Sequence, residues 1–223
     1  MMEKMSCPVP TFNVLSDEEI EMINESSYYV PYKKGDIIFR QNTPTSHIMY
    51  IKSGLVKIYK EGRNKKIIIL KISKENQFIG LLSIFGENLF QYSATALEDT
   101  EIFYVDIGVF KNLIKQNGGY AIHLMKQLSL DGLHIFEKLI NLSHKQLPGR
   151  IAEIILYFAE EIFKNPVFEF PLTRQELAEL ASTTKESLIR TLSEFKNDKI
   201  IDLDGRKVEI KSNDIIKILS KLG

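Results

Sequence analysis

The hydrophobic rhythm of the chain changes twice. Residues 16–26, SDEEIEMINES, open with Ser16-x-x-Glu19, a capping-box spacing, and predict a short helix. From Tyr28 to Asp106 the apolar runs shorten to IIFR, HIMYI, LVKIYK, KKIIILKI, YSATAL and EIFYV. Between them stand the turn signals KKGD, NTPTS, KSG, EGRN, GEN and LEDT. Short strands at this even spacing predict a barrel or sandwich of the roll type. There is no solenoid repeat and no low-complexity tract.

Beyond Asp106 the period lengthens. Ile107–Lys115 predicts a short helix, and Tyr120 to about Leu142, after Gly118-Gly119, a long one. In the long helix Met125, Leu128, Gly132, Ile135, Leu139 and Leu142 recur at steps of three and four, a seam suited to a partner helix. Leu124, Leu130, Leu133, Phe136 and Ile140 add a second apolar face, as expected of a helix held between its own roll and a twin. Residues 142–146 are the expected hinge. Pro148 suits the first turn of the next helix, whose stripe is Ile151, Ile154, Ile155, Phe158 and Ile162. Asn165-Pro166 ends it, and FEFP reads as a short strand.

The segment LTRQELAELASTTKESLIRTLSEF, residues 172–195, carries two short helical patterns around a break at Ser182-Thr183. Thr173-x-x-Glu176 caps the first, with Leu177, Leu180 and Ala181 inward. The second starts at Thr183 or Thr184 and turns Leu188, Leu192 and Phe195 inward. KIIDLDGRKVEIKS then predicts two strands about an Asp204-Gly205 turn. A helix-turn-helix followed by a hairpin is a winged helix, a unit whose second helix enters the DNA major groove.

On that second helix Lys185, Glu186, Ile189, Arg190 and Ser193 share the outer surface. Arginine suits guanine O6 and N7, and glutamate accepts from cytosine N4, so Lys185, Glu186 and Arg190 are the expected base readers. Arg174, Gln175, Thr184, Ser187, Arg206 and Lys207 suit phosphate, which positions without specifying. A purely structural reading of the same residues is available: a Thr183-x-x-Glu186 capping box and a Glu186–Arg190 i,i+4 pair worth about 0.2–0.5 kcal/mol. Charge is not decisive, since residues 185–211 hold seven basic and six acidic side chains.

Composition narrows the alternatives. The 223 residues carry 29 Lys plus Arg against 29 Asp plus Glu, so no bulk charge advertises a polyanionic partner. Cys7 is the only cysteine, which rules out an intramolecular disulfide and a four-cysteine iron–sulfur cluster within one chain and suits a reducing, cytoplasmic home. The opening MMEKMSCPVPTF lacks a long apolar segment, and no run of about 18 apolar residues occurs, so neither a secretory signal nor a membrane span is expected. Cupin-like rolls host metal enzymes, but His47 stands alone in the strand region, so no enzyme is expected. A winged helix that grips another protein remains an alternative, and steep salt dependence would mark DNA instead.

TRQELAELASTTKESLIRTLSEFKNDKIIDLDG resembles the DNA-binding domain of the CRP/FNR transcription regulators, and a GDIIFRQ…MYIKSGLVKIY roll, a long helix and a hinge precede it in the family's order. The likeness covers roughly residues 14–221. It implies an α+β fold: an N-terminal antiparallel β-roll sensor (1–119), a dimerisation helix and hinge (120–145) and a winged helix-turn-helix (146–223). It also implies a homodimer joined through Met125, Leu128, Gly132, Ile135 and Leu139. The dimer would bind a palindrome in double-stranded DNA, with half-sites about 34–36 Å apart, and RNA polymerase is implied as a partner. Glu186 and Arg190 match the family's base-reading positions, while Lys185 matches one that varies.

Family members that bind cyclic nucleotides carry a glutamate for the ribose and an arginine for the cyclic phosphate. This chain reads QFIGLLSIFGENLFQYSATA there, with Leu81 and Tyr92 in those two places. A buried phosphate without a cation is costly, so cyclic AMP is not expected. Two readings of the roll stay open. An apolar or aromatic effector would be lined by Ile79, Gly80, Leu81, Leu82, Phe85, Tyr92, Ser93, Leu124 and Leu128. Alternatively Leu81 and Tyr92 simply fill the space. Haem held by His47, His123, His134 or His144, with Met49 and Met125 as weaker ligands, and a redox role for Cys7 are further alternatives.

Overall fold

The computed structural model describes residues 9–10, 13–63 and 66–223. Cys7 lies outside them, as does Asn64 of the EGRN turn. The chain divides into two compact units, one taking in residues 1–65 and 70–133, the other 66–69 and 134–223.

The first unit begins with α1 (Asp17–Glu25), where the Ser16 hydroxyl accepts from Glu19 N–H (3.2 Å) and the Glu19 carboxylate from Ser16 N–H (2.8 Å). Strands β1 (Ser27–Tyr32), β2 (Ile37–Phe39), β3 (His47–Ser53), β4 (Val56–Glu61), β5 (Ile67–Ser73) and β6 (Phe78–Ile79) follow. Then come α2 (Leu81–Phe85), β7 (Ser93–Ala96), β8 (Thr100–Asp106) and α3 (Ile107–Gln116). The strands form two four-stranded sheets, β1-β8-β3-β6 and β2-β7-β4-β5. Sequence reading missed β1 and β6. Pro31 argues against a strand, yet β1 is an edge strand, where a missing N–H is tolerated; β6 has only two residues, too few to show an alternation.

Phe39, Val56, Ile58 and Ala94 of one sheet meet Met49, Ile51, Ile79 and Ile102 of the other in an inter-sheet core. The opposite face of β1-β8-β3-β6 is covered as well: Ile48, Tyr50, Phe103 and Val105 pack with Ile23, Phe110, Leu113, Tyr120 and Leu124 from helices. Central strands buried on both faces read as continuous apolar runs rather than alternations, which is why HIMYI and EIFYV look as they do.

The long helix, α4, runs Gly118–His144 and starts on the glycine pair instead of after it, with Asn117 Oδ1 accepting from Tyr120 N–H (2.9 Å). Leu124 is buried and Leu128 half-buried against the roll core. The second face was expected to be covered by the roll, but Leu130, Leu133, Phe136 and Ile140 are exposed, together with Ile122, Met125, Ile135 and Leu139. An outward stripe runs through Ile122, Met125, Leu133, Phe136 and Ile140, beside the expected seam, whose Met125, Ile135 and Leu139 are exposed as well. Hydrophobic periodicity locates stripes on a helix but not which of two adjacent stripes the chain itself covers.

In the second unit Lys138 Nζ donates to the Ile69 carbonyl (2.7 Å), which ties residues 66–69 to this part of α4. Helix α5 (Leu147–Leu156), with Pro148 in its first turn, widens into a π-helical turn, Tyr157–Ile162, closed by Phe163 N–H donating to the Phe158 carbonyl (2.9 Å). The wider turn sets Phe158 against Phe163, Phe168 and Phe170. Then follow β9 (Val167–Glu169), α6 (Arg174–Leu180), α7 (Lys185–Asn197), β10 (Ile201–Asp204), β11 (Lys207–Ile210) and α8 (Asn213–Leu222), with sheet order β10-β11-β9.

The bend between α6 and α7 places Ser182 at φ +52°, and Thr183 N–H returns to the Ala178 carbonyl (2.9 Å). A left-handed non-glycine residue costs about 1–2 kcal/mol, whereas glycine adds a smaller chain-entropy cost. Ser182→Gly is therefore expected to stabilise the protein by about 0.5–1 kcal/mol. The check is a higher denaturant midpoint at constant m-value; a lower midpoint would contradict the account.

Candidate nucleic-acid interface and roll interior

Thr173 caps α6 through a reciprocal box: its hydroxyl accepts from Glu176 N–H (3.2 Å), and the Glu176 carboxylate accepts from Thr173 N–H (2.8 Å). Thr184, not Thr183, caps α7, its hydroxyl accepting from Ser187 N–H (3.2 Å) and donating to Ser187 Oγ (3.1 Å). The Thr183-x-x-Glu186 box therefore does not form. Leu188, Thr191, Leu192 and Phe195 are buried. The helical period then leaves Lys185, Glu186, Ile189, Arg190 and Ser193 together on the exposed side. Arg190 Nε lies 4.0 Å from Glu194 Oε1, so its carboxylate neighbour is one turn beyond, not Glu186. Both Lys185 and Glu186 occupy the first turn of α7.

The wing is the β10–β11 hairpin. Asp204 pairs with Lys207, so the two-residue loop is Gly205-Arg206, one position later than the expected Asp204-Gly205, with Gly205 at φ +55° as such loops require. Of the phosphate candidates, Gln175, Thr184 and Lys207 are exposed and Ser187 half-exposed. Gln175 Nε2 also donates to Glu179 Oε1 (3.1 Å). Two candidates have partners within the domain, Arg206 in a surface pair that leaves it exposed. Arg174 Nη2 donates to the Gly205 carbonyl, and Arg206 Nε lies 3.2 Å from Glu169 Oε1. Sequence reading saw two basic residues at the right places but had no way to see acceptors supplied by the wing turn and β9.

In the first unit the nine expected effector-pocket residues do not converge. Leu81, Leu124 and Leu128 belong to the core on the helical side of β1-β8-β3-β6, whereas Ile79 and Tyr92 belong to the inter-sheet core on its other side. Leu82 (44% exposed) and Phe85 (41%) face outward. The reason is geometric: α2 is barely more than a turn long, and burying Leu81 and Ile84 three residues apart turns Leu82 and Phe85 away. Gly80 (φ +85°) is packed so closely that a Cβ there would lie 2.9 Å from the Phe90 ring. Phe90 in turn stacks on Phe39, with centroids 4.0 Å apart. The buried Ser93 hydroxyl accepts from Gln41 N–H (3.0 Å). Burial pushes the Tyr92 hydroxyl up to about 12, partly opposed by hydrogen bonding with the Ser83 side chain and Gly80 backbone.

The haem candidates are scattered. His47 Nδ1 pairs with Ser46 Oγ (2.9 Å) and sits edge-on to Tyr28 and Tyr104, Met49 is buried in the inter-sheet core, and His134 and His144 are exposed on α4. Among the described residues no three His, Cys, Asp or Glu side chains gather as metal ligands would, and no helix is long and apolar enough to cross a membrane.

A double-sheet roll followed by a winged helix with an exposed, mixed-charge second helix defines a two-domain regulator that meets DNA through its C-terminal part. Comparison with known proteins gives the same order of parts: residues 29–117 match the cyclic nucleotide-binding domain and residues 149–214 the Crp-like helix-turn-helix domain. The chain belongs to the CRP/FNR family of DNA-binding transcription regulators. It is 23% identical over 211 residues to the anaerobic regulatory protein of Bacillus subtilis, covering 92% of this chain and 89% of that one. It is 22% identical over 217 residues to a CRP-like cAMP-activated global transcriptional regulator of Mycobacterium tuberculosis, covering 96% and 97%. In fold it is similar to a crp/fnr-family protein of Eubacterium rectale (TM-score 0.82, 18% identity, 97% of this chain and 100% of that one). FixK2 of Bradyrhizobium japonicum is also similar (TM-score 0.78, 18%, 86% and 96%).

Proposed function

We propose that the protein acts as a cytoplasmic homodimer on a palindromic operator, with residues 1–119 as the sensor-type roll, 120–145 as dimer helix and hinge, and 146–223 as the DNA-binding part. Lys185, Glu186 and Arg190 read base edges, and Gln175, Thr184, Ser187 and Lys207 meet phosphate. RNA polymerase is the further partner, as the family resemblance implies. The observation that carries this reading is the outward first two turns of α7, with a guanidinium, an ammonium and a carboxylate side by side and the apolar stripe fully spent on the domain core.

The dimer reading rests on α4. Ile122, Met125, Leu133, Phe136 and Ile140, at steps of three, eight, three and four, share one helix face and are all at least half exposed, Phe136 at 65%. A stripe this long and apolar suits pairing with an identical helix.

Relatives are named for activation by cAMP, but the roll of this chain does not suit that ligand. Leu81, where the family's ribose-binding carboxylate would stand, is 3% exposed inside the helical-side core. Tyr92, where the phosphate-binding arginine would stand, brings a neutral hydroxyl already engaged by Ser83 and Gly80. We read the effector as something other than cyclic AMP, or the roll as filled by its own side chains.

Arg190→Ala is expected to cost about 1–3 kcal/mol on the specific operator and to relax preference at one base pair. Equal losses on operator and random DNA, by fluorescence anisotropy, would remove Arg190 from the base readers. Phe136→Glu is expected to give monomers by light scattering, and an unchanged dimer mass would move the subunit contact elsewhere. Titration calorimetry with cyclic AMP is expected to show no saturable heat, and micromolar binding would overturn the reading of Leu81 and Tyr92.

A further inference from the structure

The seven basic residues from Lys185 to Lys211 divide into two sets. Lys196, Arg206 and Lys211 are paired within the domain, with Asp202 (3.6 Å), Glu169 (3.2 Å) and Glu209 (2.7 Å). Lys185, Lys199 and Lys207 are exposed without an ion pair among the described residues, and Arg190 has only the 4.0 Å approach of Glu194.

Two of the basic side chains do something more specific than pairing. Arg174, the first residue of α6, donates to the carbonyl of Gly205 at the tip of the wing. Lys196, near the end of α7, donates to the carbonyl of Leu203 in the wing's first strand (2.6 Å). Each helix of the helix-turn-helix thus sends one cation to a wing carbonyl. A third tie comes from just after β9, where Phe170 N–H donates to the carbonyl of Arg206 (3.0 Å). Arg174 is only half accessible, its Nη1 is buried with no acceptor among the described residues, and burial lowers its pKa. A guanidinium committed in this way is not splayed toward solvent as a phosphate contact would be.

In the sheet β10-β11-β9 the second wing strand is held by β9, whereas β10 is the edge, so the ties from Arg174 and Lys196 reach the turn and the strand that β9 does not pair. Charge-assisted hydrogen bonds to carbonyls are about twice as strong as neutral ones and hold the backbone rather than another mobile side chain.

We propose that Arg174 and Lys196 are wing-positioning residues, which fix the hairpin to both helices of the helix-turn-helix and act on DNA through Lys207 instead of touching phosphate themselves. This inference rests on the DNA-contact reading above for its consequence, but not for its geometry. It assigns Arg174 a role different from the phosphate contact expected from its place in the sequence.

The test combines amide hydrogen exchange with a double-variant cycle in the full-length protein. In DNA-free Arg174→Ala, exchange of the amides from Gly205 to Val208 is expected to quicken about tenfold, as local opening becomes easier. Lys196→Gln, from the other helix, is expected to quicken the same amides, which guards against a misfolded Arg174 variant. On DNA, Lys207→Ala is expected to lower the log–log salt slope by about one per winged helix. Arg174→Ala is expected to lower the slope equally, and the double variant no further, because both act through one contact. Unchanged wing exchange in both variants would overturn the proposal. So would a double variant whose losses multiply and whose slope falls by about two per winged helix, the signature of two separate phosphate contacts. If the protein bound no DNA, the exchange experiment would still decide the wing's anchoring while the DNA reading itself fell.

Discussion

Burial of Leu188, Thr191, Leu192 and Phe195 along one stripe of α7 determines what that helix presents to a partner. A helix with 3.6 residues per turn that spends one stripe on the core has no freedom over what the opposite stripe displays. Each buried leucine or phenylalanine contributes about 1.5–3 kcal/mol, so rolling α7 about its axis to show other residues would cost several times the worth of any surface pair. Thr184 sets the start of the helix and the left-handed Ser182 sets its angle of departure from α6. The outward placement of Lys185, Glu186 and Arg190 follows from these apolar contacts rather than from attraction among the charges.

The same logic divides the roll. The sheet β1-β8-β3-β6 is covered on both faces, so residues close in sequence around Gly80 are sent to opposite sides of it. Leu81 joins the helices and Ile79 joins the inter-sheet core, one residue either side of a glycine with no room for a side chain. A contiguous stretch that looks like the lining of one pocket is, in three dimensions, the shared border of two cores.

Near-neutral charge in the winged helix also finds its reason in the structure. Of the eight basic residues from Arg174 to Lys211, four (Arg174, Lys196, Arg206 and Lys211) neutralise carboxylates or grip wing carbonyls, which leaves a small set available to a polyanion. Binding that depends on few free cations and a fixed wing trades bulk attraction for placement, since phosphate contacts serve mainly to set register and orientation.

The sequence by itself determined most of the element order, β1, β6, α2 and α8 excepted: capping boxes at Ser16 and Thr173, the turn-punctuated strands, the long helix and the winged helix were legible. These features rest on local rules of capping, turn chemistry and periodicity that need no knowledge of distant residues. It also determined the stripe of α7, because Leu188, Leu192 and Phe195 allow one inward face. Only the tertiary structure decided which face of α4 stays uncovered, where Leu81 and Tyr92 go, that an edge position admits Pro31, and that Arg174 and Arg206 are engaged internally. Each of those depends on which atoms the fold brings up from far along the chain: the roll against Leu128, Phe90 against Gly80, the Gly205 carbonyl against Arg174 and Glu169 against Arg206. A side chain's type sets what it is able to bond, but its partner is a property of the packed fold.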